Sequence, residues 1–374
     1  MNIIALTSSR ADYGILSSLL KKLDSSEVFS LKVVAFGTHT SEKYGYTVSE
    51  IIEDGYKHIV KIETVTDSDS AIDISRSMAT TINKFSDLWN QYRDWIDIAI
   101  CLGDRYEMFA AVASSVPFNI KVAHLHGGET TLGAIDNKFR HCITSMSSTH
   151  FVATEMFEEK VIEITGKGNN VHNVGALSMD KLSEIEFYDV PAFQNAFAVD
   201  LSIPTILVTI HPETTNIESI DTNTDIFICT LKKLSESYQI LITLPNADTN
   251  GNKIRAKLND LSDRNNKVIC KESLGYRGYF SAMKHCKLLL GNTSSGIIEA
   301  ASFEKFVINI GSRQKGRATS KNIYNAGFNE QEITTAVSQI KKRQYKYTGS
   351  NIYFKADVAD KIINVLKSKN YAQA

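Results

Sequence analysis

Short, uniformly apolar runs alternate with amphipathic stretches of helical spacing along most of this chain. Residues 2–6, 31–36, 98–102, 122–125, 151–154 and 171–174 read as strands. Helical spacing covers 12–23, the region near 105–115, and 137–147. Strands that are apolar at successive positions, interleaved with helices, predict an α/β fold with parallel sheets covered on both faces. The texture changes over 185–204, IEFYDVPAFQNAFAVDLSIP, where mixed periodicity and Pro191 and Pro204 suit a linker. The alternation then restarts, with strands at 205–210, 239–243, 267–270, 287–290 and 306–310 and helices at 217–234 and around 252–261. Two sequential doubly wound units joined near residue 190 are the economical arrangement.

Composition narrows what such a chain can be. Its 374 residues suffice for two domains, and a hydrophobic share of 43% is ample for two cores. Lysine and arginine number 41 against 42 acidic residues, so no global field argues for nucleic acid or an anionic membrane as partner. Cys101, Cys142, Cys229, Cys270 and Cys286 are dispersed with no CxxC spacing, the usage of a reducing compartment. No apolar stretch approaches the ~20 residues of a membrane span. The opening MNIIALTSSRADYG reads as a strand running into a loop rather than a signal peptide. A cytoplasmic protein is expected.

In an open parallel sheet, ligands bind where loops leave the carboxyl ends of the strands. The loops at those ends here are unusually polar: SSRADYG, GTHT, LGDR, HLHGGE, IHPET, LPNAD, GNTSSG and GSRQKGR. The densest chemistry lies in 99–141, which holds Asp104, Arg105, Glu107, His124, His126, Glu129, Asp136, Arg140 and His141. Asp136 and Arg140 are one helical turn apart and share a face. His124 and His126, at i and i+2 on a strand end, are placed to point to one side, as metal ligands would. Without an HExxH or comparable ligand spacing, no metal is expected. GNTSSG opens an apolar helix, where free N–H groups favour phosphate, although a plain N-cap by Thr293 or Ser294 accounts for the same residues. Glu299, one turn on, is placed to accept ribose hydroxyls. Arg313 in GSRQKGR and Arg10 in SSRADYG are candidate diphosphate binders through their planar donor forks. His211 and His39 stand at strand ends, where structural and functional histidines both occur.

Taken in order, TSSRADYG, GDRYE, HLHGGETTLGAID with RH following, HPET, PNAD, GNTSSG and GSRQKGR resemble the hydrolysing UDP-N-acetylglucosamine 2-epimerases that begin sialic-acid biosynthesis, most of all the bacterial capsule type. The resemblance implies a GT-B-like pair of Rossmann-like domains with the active site in the interdomain cleft. Residues 1–185 would form the sugar side and 186–355 the UDP side, with a helix in 356–374 packing back on the first domain. It implies a UDP-sugar as partner, a homodimer or homotetramer, and no cofactor. By position, Asp104, His126, Glu129, Asp136, Arg140 and His39 fall on catalytic-side motifs. Arg10, Arg105, His211, Asn246, Thr293, Ser294, Glu299 and Arg313 fall on UDP-side motifs. Several family members have glutamate in place of His126.

The family's chemistry removes an unactivated proton from sugar C2 as UDP leaves C1, and then hydrates the resulting 2-acetamidoglucal. The resemblance therefore implies conversion of UDP-N-acetylglucosamine to N-acetylmannosamine and UDP. The same chemistry on UDP-N,N′-diacetylbacillosamine is the near alternative, and a GT-B glycosyltransferase the more distant one.

Overall fold

Strand β1 (Asn2–Thr7) alternates its buried side chains between two helical layers: Ile3 and Ala5 face one, Ile4 and Leu6 the other. Around it the computed structural model, which describes residues 1–65, 70–130, 135–213, 220–245 and 251–368, places a parallel seven-stranded sheet. Its further strands are β2 (Ser30–Ala35), β3 (Ile59–Lys61), β4 (Ile98–Leu102), β5 (Val122–Leu125), β6 (Thr149–Val152) and β7 (Val171–Asn173). The order is β3-β2-β1-β4-β5-β6-β7, so the winding reverses between β1 and β4.

One layer is built by Leu16, Leu19 and Leu20 of the helix Arg10–Ser25 and by Ile362 and Leu366 of the helix Val358–Ser368. The other is built by Phe85 and Trp89 of the helix Ala71–Tyr92, with Met108 and Val112 of the helix Tyr106–Ser115. The first compact unit accordingly comprises Met1–Glu129, Ile135–Ser183 and Lys355–Ala374. Asp180 fixes the return of the chain into it, its carboxylate accepting the N–H of Val358 at 2.8 Å and of Ala359 at 2.6 Å.

The second unit includes Glu184–Phe354 and carries a parallel six-stranded sheet. Its strands are β8 (Thr205–Thr209), β9 (Gln239–Thr243), β10 (Val268–Lys271), β11 (Leu288–Gly291), β12 (Val307–Ile310) and β13 (Ile323–Ala326). The order β10-β9-β8-β11-β12-β13 reverses between β8 and β11. The fold is α/β with two doubly wound parallel sheets, and no helix among the described residues is long and apolar enough to cross a membrane.

Local departures from the periodicity have local causes. Residues 185–204 are not a bare linker: Asp189 caps a helix, Val190–Phe197, by accepting the Ala192 N–H at 2.8 Å, and Pro191 fits its first turn. Strand β6 stops at Val152 because Thr154 is already the N-cap of the helix Glu155–Thr165.

Candidate active site

In the first unit, the loops leaving β4 and β5 and the helix Asp136–Met146 converge on one buried guanidinium. Arg140, 4% exposed, binds the Asp104 carboxylate, lies 3.1 Å from Oε2 of Glu129, and donates to the carbonyl of His126 at 3.1 Å. The other Glu129 oxygen lies 2.6 Å from Nδ1 of His126. A carboxylate only accepts, so Nδ1 carries the proton. Nε2 of His126 is buried and has no partner among the described residues.

His126 adopts a left-handed backbone, φ +61°, directly past the end of β5. Gly128 follows, where a Cβ would lie 2.6 Å from the Phe157 carbonyl oxygen, so only glycine lets the helix Glu155–Thr165 approach. Asp136 heads its helix, and burial together with the neighbouring Asp104 charge pushes its carboxyl up to about 6, against the opposing pull of Arg105 and Arg140.

Not every candidate joins this network. His124 turns away from His126: its Nε2–H donates to the Gly103 carbonyl at 2.9 Å, and its Nδ1 lies 3.2 Å from the Thr144 hydroxyl. Both nitrogens are committed, and burial holds the ring neutral, its pKa pushed down to about 3. The i, i+2 arrangement fails as a ligand pair because the strand ends at Leu125 and the left-handed residue redirects the chain. His39 is fully buried between the hydroxyls of Thr7 (2.9 Å) and Thr47 (2.8 Å), with burial pushing its pKa down to about 4. Arg105 pairs with the fully buried Glu107 at 2.8 Å and lies in the field of the buried Asp12. Arg10 is largely exposed and pairs with Glu50 at 3.1 Å.

The second unit gathers three strand-end loops. Asn292, fully buried, accepts the His211 N–H at 2.7 Å and donates to the His211 carbonyl at 2.9 Å. Its own carbonyl accepts from the Arg313 guanidinium at 3.0 Å and from Gln314 at 2.8 Å. Burial and then Arg313 push the His211 pKa down to about 4. Glu213 accepts from the N–H groups of Ser312 and Arg313, the latter at 3.0 Å. Gly291 approaches β8 so closely that a Cβ would meet the Thr209 carbonyl oxygen at 1.9 Å.

Thr293 occupies the N-cap position of the short helix Ser294–Ile298 but makes no capping bond, its hydroxyl lying 3.2 Å from that of Ser295. The plain-cap account of this loop therefore fails for Thr293. Glu299 is buried at the end of that helix. Beside His211 and Glu213 a small pocket opens against Phe227, Ile254 and Phe328. Asn246 lies outside the described residues.

Residue type alone does not single out Asn292 or Glu213, and Glu107 stands only as one charge among those of 99–141. Their signal is positional, inside the polar loops GNTSSG, IHPET and GDRYE.

The model of the UDP-N-acetylglucosamine 2-epimerase family matches residues 21–367. A GDP/UDP-N,N′-diacetylbacillosamine 2-epimerase (hydrolyzing) of Campylobacter jejuni is 33% identical over 348 residues, 92% of this chain and 88% of that one. A UDP-N,N′-diacetylbacillosamine 2-epimerase (hydrolyzing) of Legionella pneumophila is 31% identical, covering 98% of this chain and 95% of its own. Among solved structures, the UDP-GlcNAc 2-epimerase of Neisseria meningitidis bound to UDP-GlcNAc superposes with a TM-score of 0.82 at 16% identity, over 99% of this chain and 100% of that one. Two doubly wound sheets, strand-end loops carrying the motif residues, and a family match along nearly the whole chain lead to one conclusion: the chain belongs to the UDP-N-acetylglucosamine 2-epimerase family.

Proposed function

We propose that the protein is a hydrolysing 2-epimerase of a UDP-linked 2-acetamido sugar. The observation that carries this reading is the Arg140 network, which joins His126, Glu129 and Asp104, with Asp136 in the field of Asp104 and Arg140; His126 and Asp136 are assigned as the two proton carriers. Inversion at C2 needs one group to remove a proton and another to return one from the opposite face. In the first step the C2–H bond and the C1–O bond break, the C1=C2 bond forms, and the electron pair on oxygen leaves with UDP. Asp104 and Glu129 favour the positive charge that develops at C1. In the second step water adds to C1 and gives up a proton while C2 is reprotonated, so that substrate and water yield UDP and the free 2-epimer. His211, Thr293, Ser294 and Arg313 are assigned to the leaving diphosphate and Glu299 to the ribose, with Arg10 and Asn246 completing the nucleotide side. The reading extends to a cytoplasmic homodimer or homotetramer supplying a nonulosonate pathway.

UDP-N-acetylglucosamine and UDP-N,N′-diacetylbacillosamine are the two substrates to weigh. The first is the ligand bound to the Neisseria enzyme; the second is named for the Campylobacter and Legionella relatives, which share 33% and 31% identity with this chain.

Incubation with each UDP-sugar in D2O, with and without EDTA, followed by NMR, tests the function. The expected product is the free 2-epimer carrying deuterium at C2, insensitive to the chelator. Intact substrate, or a free sugar of unchanged configuration without deuterium, overturns the reading. Transfer of the sugar to an added acceptor would mark a glycosyltransferase instead.

A further inference from the structure

We infer that Glu129 is a positioning residue that holds the Nδ1–H of His126, and that Nε2 of His126 is the base that removes the sugar C2 proton. The inference rests on the 2-epimerase reading and assigns one of its two proton carriers.

Glu129 is poorly placed to carry protons itself. Its side chain is 3% exposed, and both oxygens are committed, one to His126 at 2.6 Å and the other to Arg140 at 3.1 Å. Turning it toward a sugar would break a charge-assisted bond on each side and leave Arg140 short of a partner in the interior. The same contacts give His126 one defined tautomer. Because the carboxylate accepts at Nδ1, the lone pair of the neutral ring is on Nε2, and Nε2 is the nitrogen left without a partner among the described residues.

The backbone supports the same assignment. A histidine in the left-handed region, here at φ +61°, is uncommon and persists where surrounding structure holds it. Here Arg140 grips the His126 carbonyl, and Gly127 and Gly128 let the loop fold tightly against His124 and Phe157. The strain fixes the ring direction rather than the strand register.

The charged groups around the ring are Glu129, Arg140 and, through Arg140, Asp104; neutral His124 lies behind the loop. The Glu129 carboxylate stays at Nδ1 when the C2 proton arrives on Nε2. Asp136, at the head of the helix that carries Arg140 one turn on, is left as the complementary donor that returns a proton to C2. Over a turnover the proton taken by His126 passes to solvent, and the proton given up by the adding water restores Asp136, so the sum of steps consumes one water.

The test is a double-mutant cycle on the full chain, read by C2 deuteration, with UDP binding followed by calorimetry. Wild-type protein that fails to place deuterium at C2 sinks the 2-epimerase reading itself. With wild-type turnover established, Glu129→Gln is expected to lower kcat about 100-fold, to leave UDP affinity within a few-fold, and to move the acid limb of the kcat/KM profile to lower pH. In a His126→Glu background, where position 126 has no N–H to hold, the same substitution is expected to cost less than about 5-fold. An equal loss in both backgrounds, or disappearance of the acid limb in place of its shift, overturns the assignment. Long-range 15N NMR of the wild-type histidines gives an answer that requires no variant to fold. A protonated Nδ1 and an unprotonated Nε2 on His126 at neutral pH are expected, and the opposite tautomer overturns the assignment.

Discussion

The side chain of Asn292 forms a closed pair of hydrogen bonds with the peptide of His211, accepting its N–H at 2.7 Å and donating to its carbonyl at 2.9 Å. This ties the end of β8 to the end of β11, the strands that flank the reversal in the second sheet. The strand-end loops of the second unit therefore depend on a residue with no charge and no exposed atom.

Asn292→Ala is expected to lower stability by about 2–4 kcal/mol, since two bonds are lost and the His211 peptide is left unpaired in the interior. UDP affinity should fall at least 10-fold as His211 and Arg313 lose their common support. Denaturant unfolding and calorimetry check the two effects separately. Arg313→Ala should weaken UDP binding with a much smaller loss of stability.

Asp136→Asn separates activity from stability. Ionised Asp136 is disfavoured in the folded protein, where its pKa is about 6 against 3.8 for an ordinary aspartate. Between those values the folded state holds more protons than the unfolded one, so this group withdraws stability as pH rises from 3.8 to 6. The asparagine variant should be more stable at pH 7 by on the order of 1 kcal/mol after allowance for solvent screening. Its turnover should drop at least 100-fold if Asp136 carries a proton. A variant that loses both stability and activity would contradict this account.

Acid should loosen the protein through its buried histidines. His39 and His211 protonate only near pH 4 and His124 near pH 3, against 6.5 when unfolded. As pH falls below 6.5 the unfolded chain takes up protons that the folded one refuses, and stability declines. Each ring contributes roughly 1–3 kcal/mol by pH 4. Urea midpoints measured from pH 7 to 4.5 should show this slope, and His39→Gln should flatten it.

Arg105→Ala should behave as a folding defect rather than a nucleotide-binding defect. It strands the carboxylate of Glu107, which is 0% exposed, at an expected cost of about 3–5 kcal/mol. Pairing it with Glu107→Gln should recover much of that loss. A variant of normal stability with weakened UDP binding would return Arg105 to the nucleotide side.

The α/β architecture was legible because buried parallel strands leave unbroken apolar runs such as 98–102 and 205–209, which no exposed helix would tolerate. The helix Ala71–Tyr92 was harder to see, since its buried face (Ser77, Thr81, Phe85, Leu88 and Trp89) mixes hydroxyls with apolar side chains and gives a faint period. In the candidate site, residue types announced a dense cluster of charge in 99–141 but not its wiring. Nothing in HLHGGE says that one histidine turns inward to Gly103 while the other bends back to Glu129; that follows from the left-handed step at His126. Asp12 stayed hidden, and the pairing of Glu107 with Arg105 with it, because both depend on burial, which spacing alone does not reveal.

The return of the chain at Lys355 sets an order of assembly. Everything that closes the second sheet has left the ribosome once Phe354 emerges, whereas the first unit still lacks Ile362 and Leu366 and the Lys22–Asp360 pair that ties their helix to Arg10–Ser25. The unit begun first is thus completed last. A chain halted before Val358 would expose the apolar flank of its first helix that Ile362 and Leu366 otherwise cover.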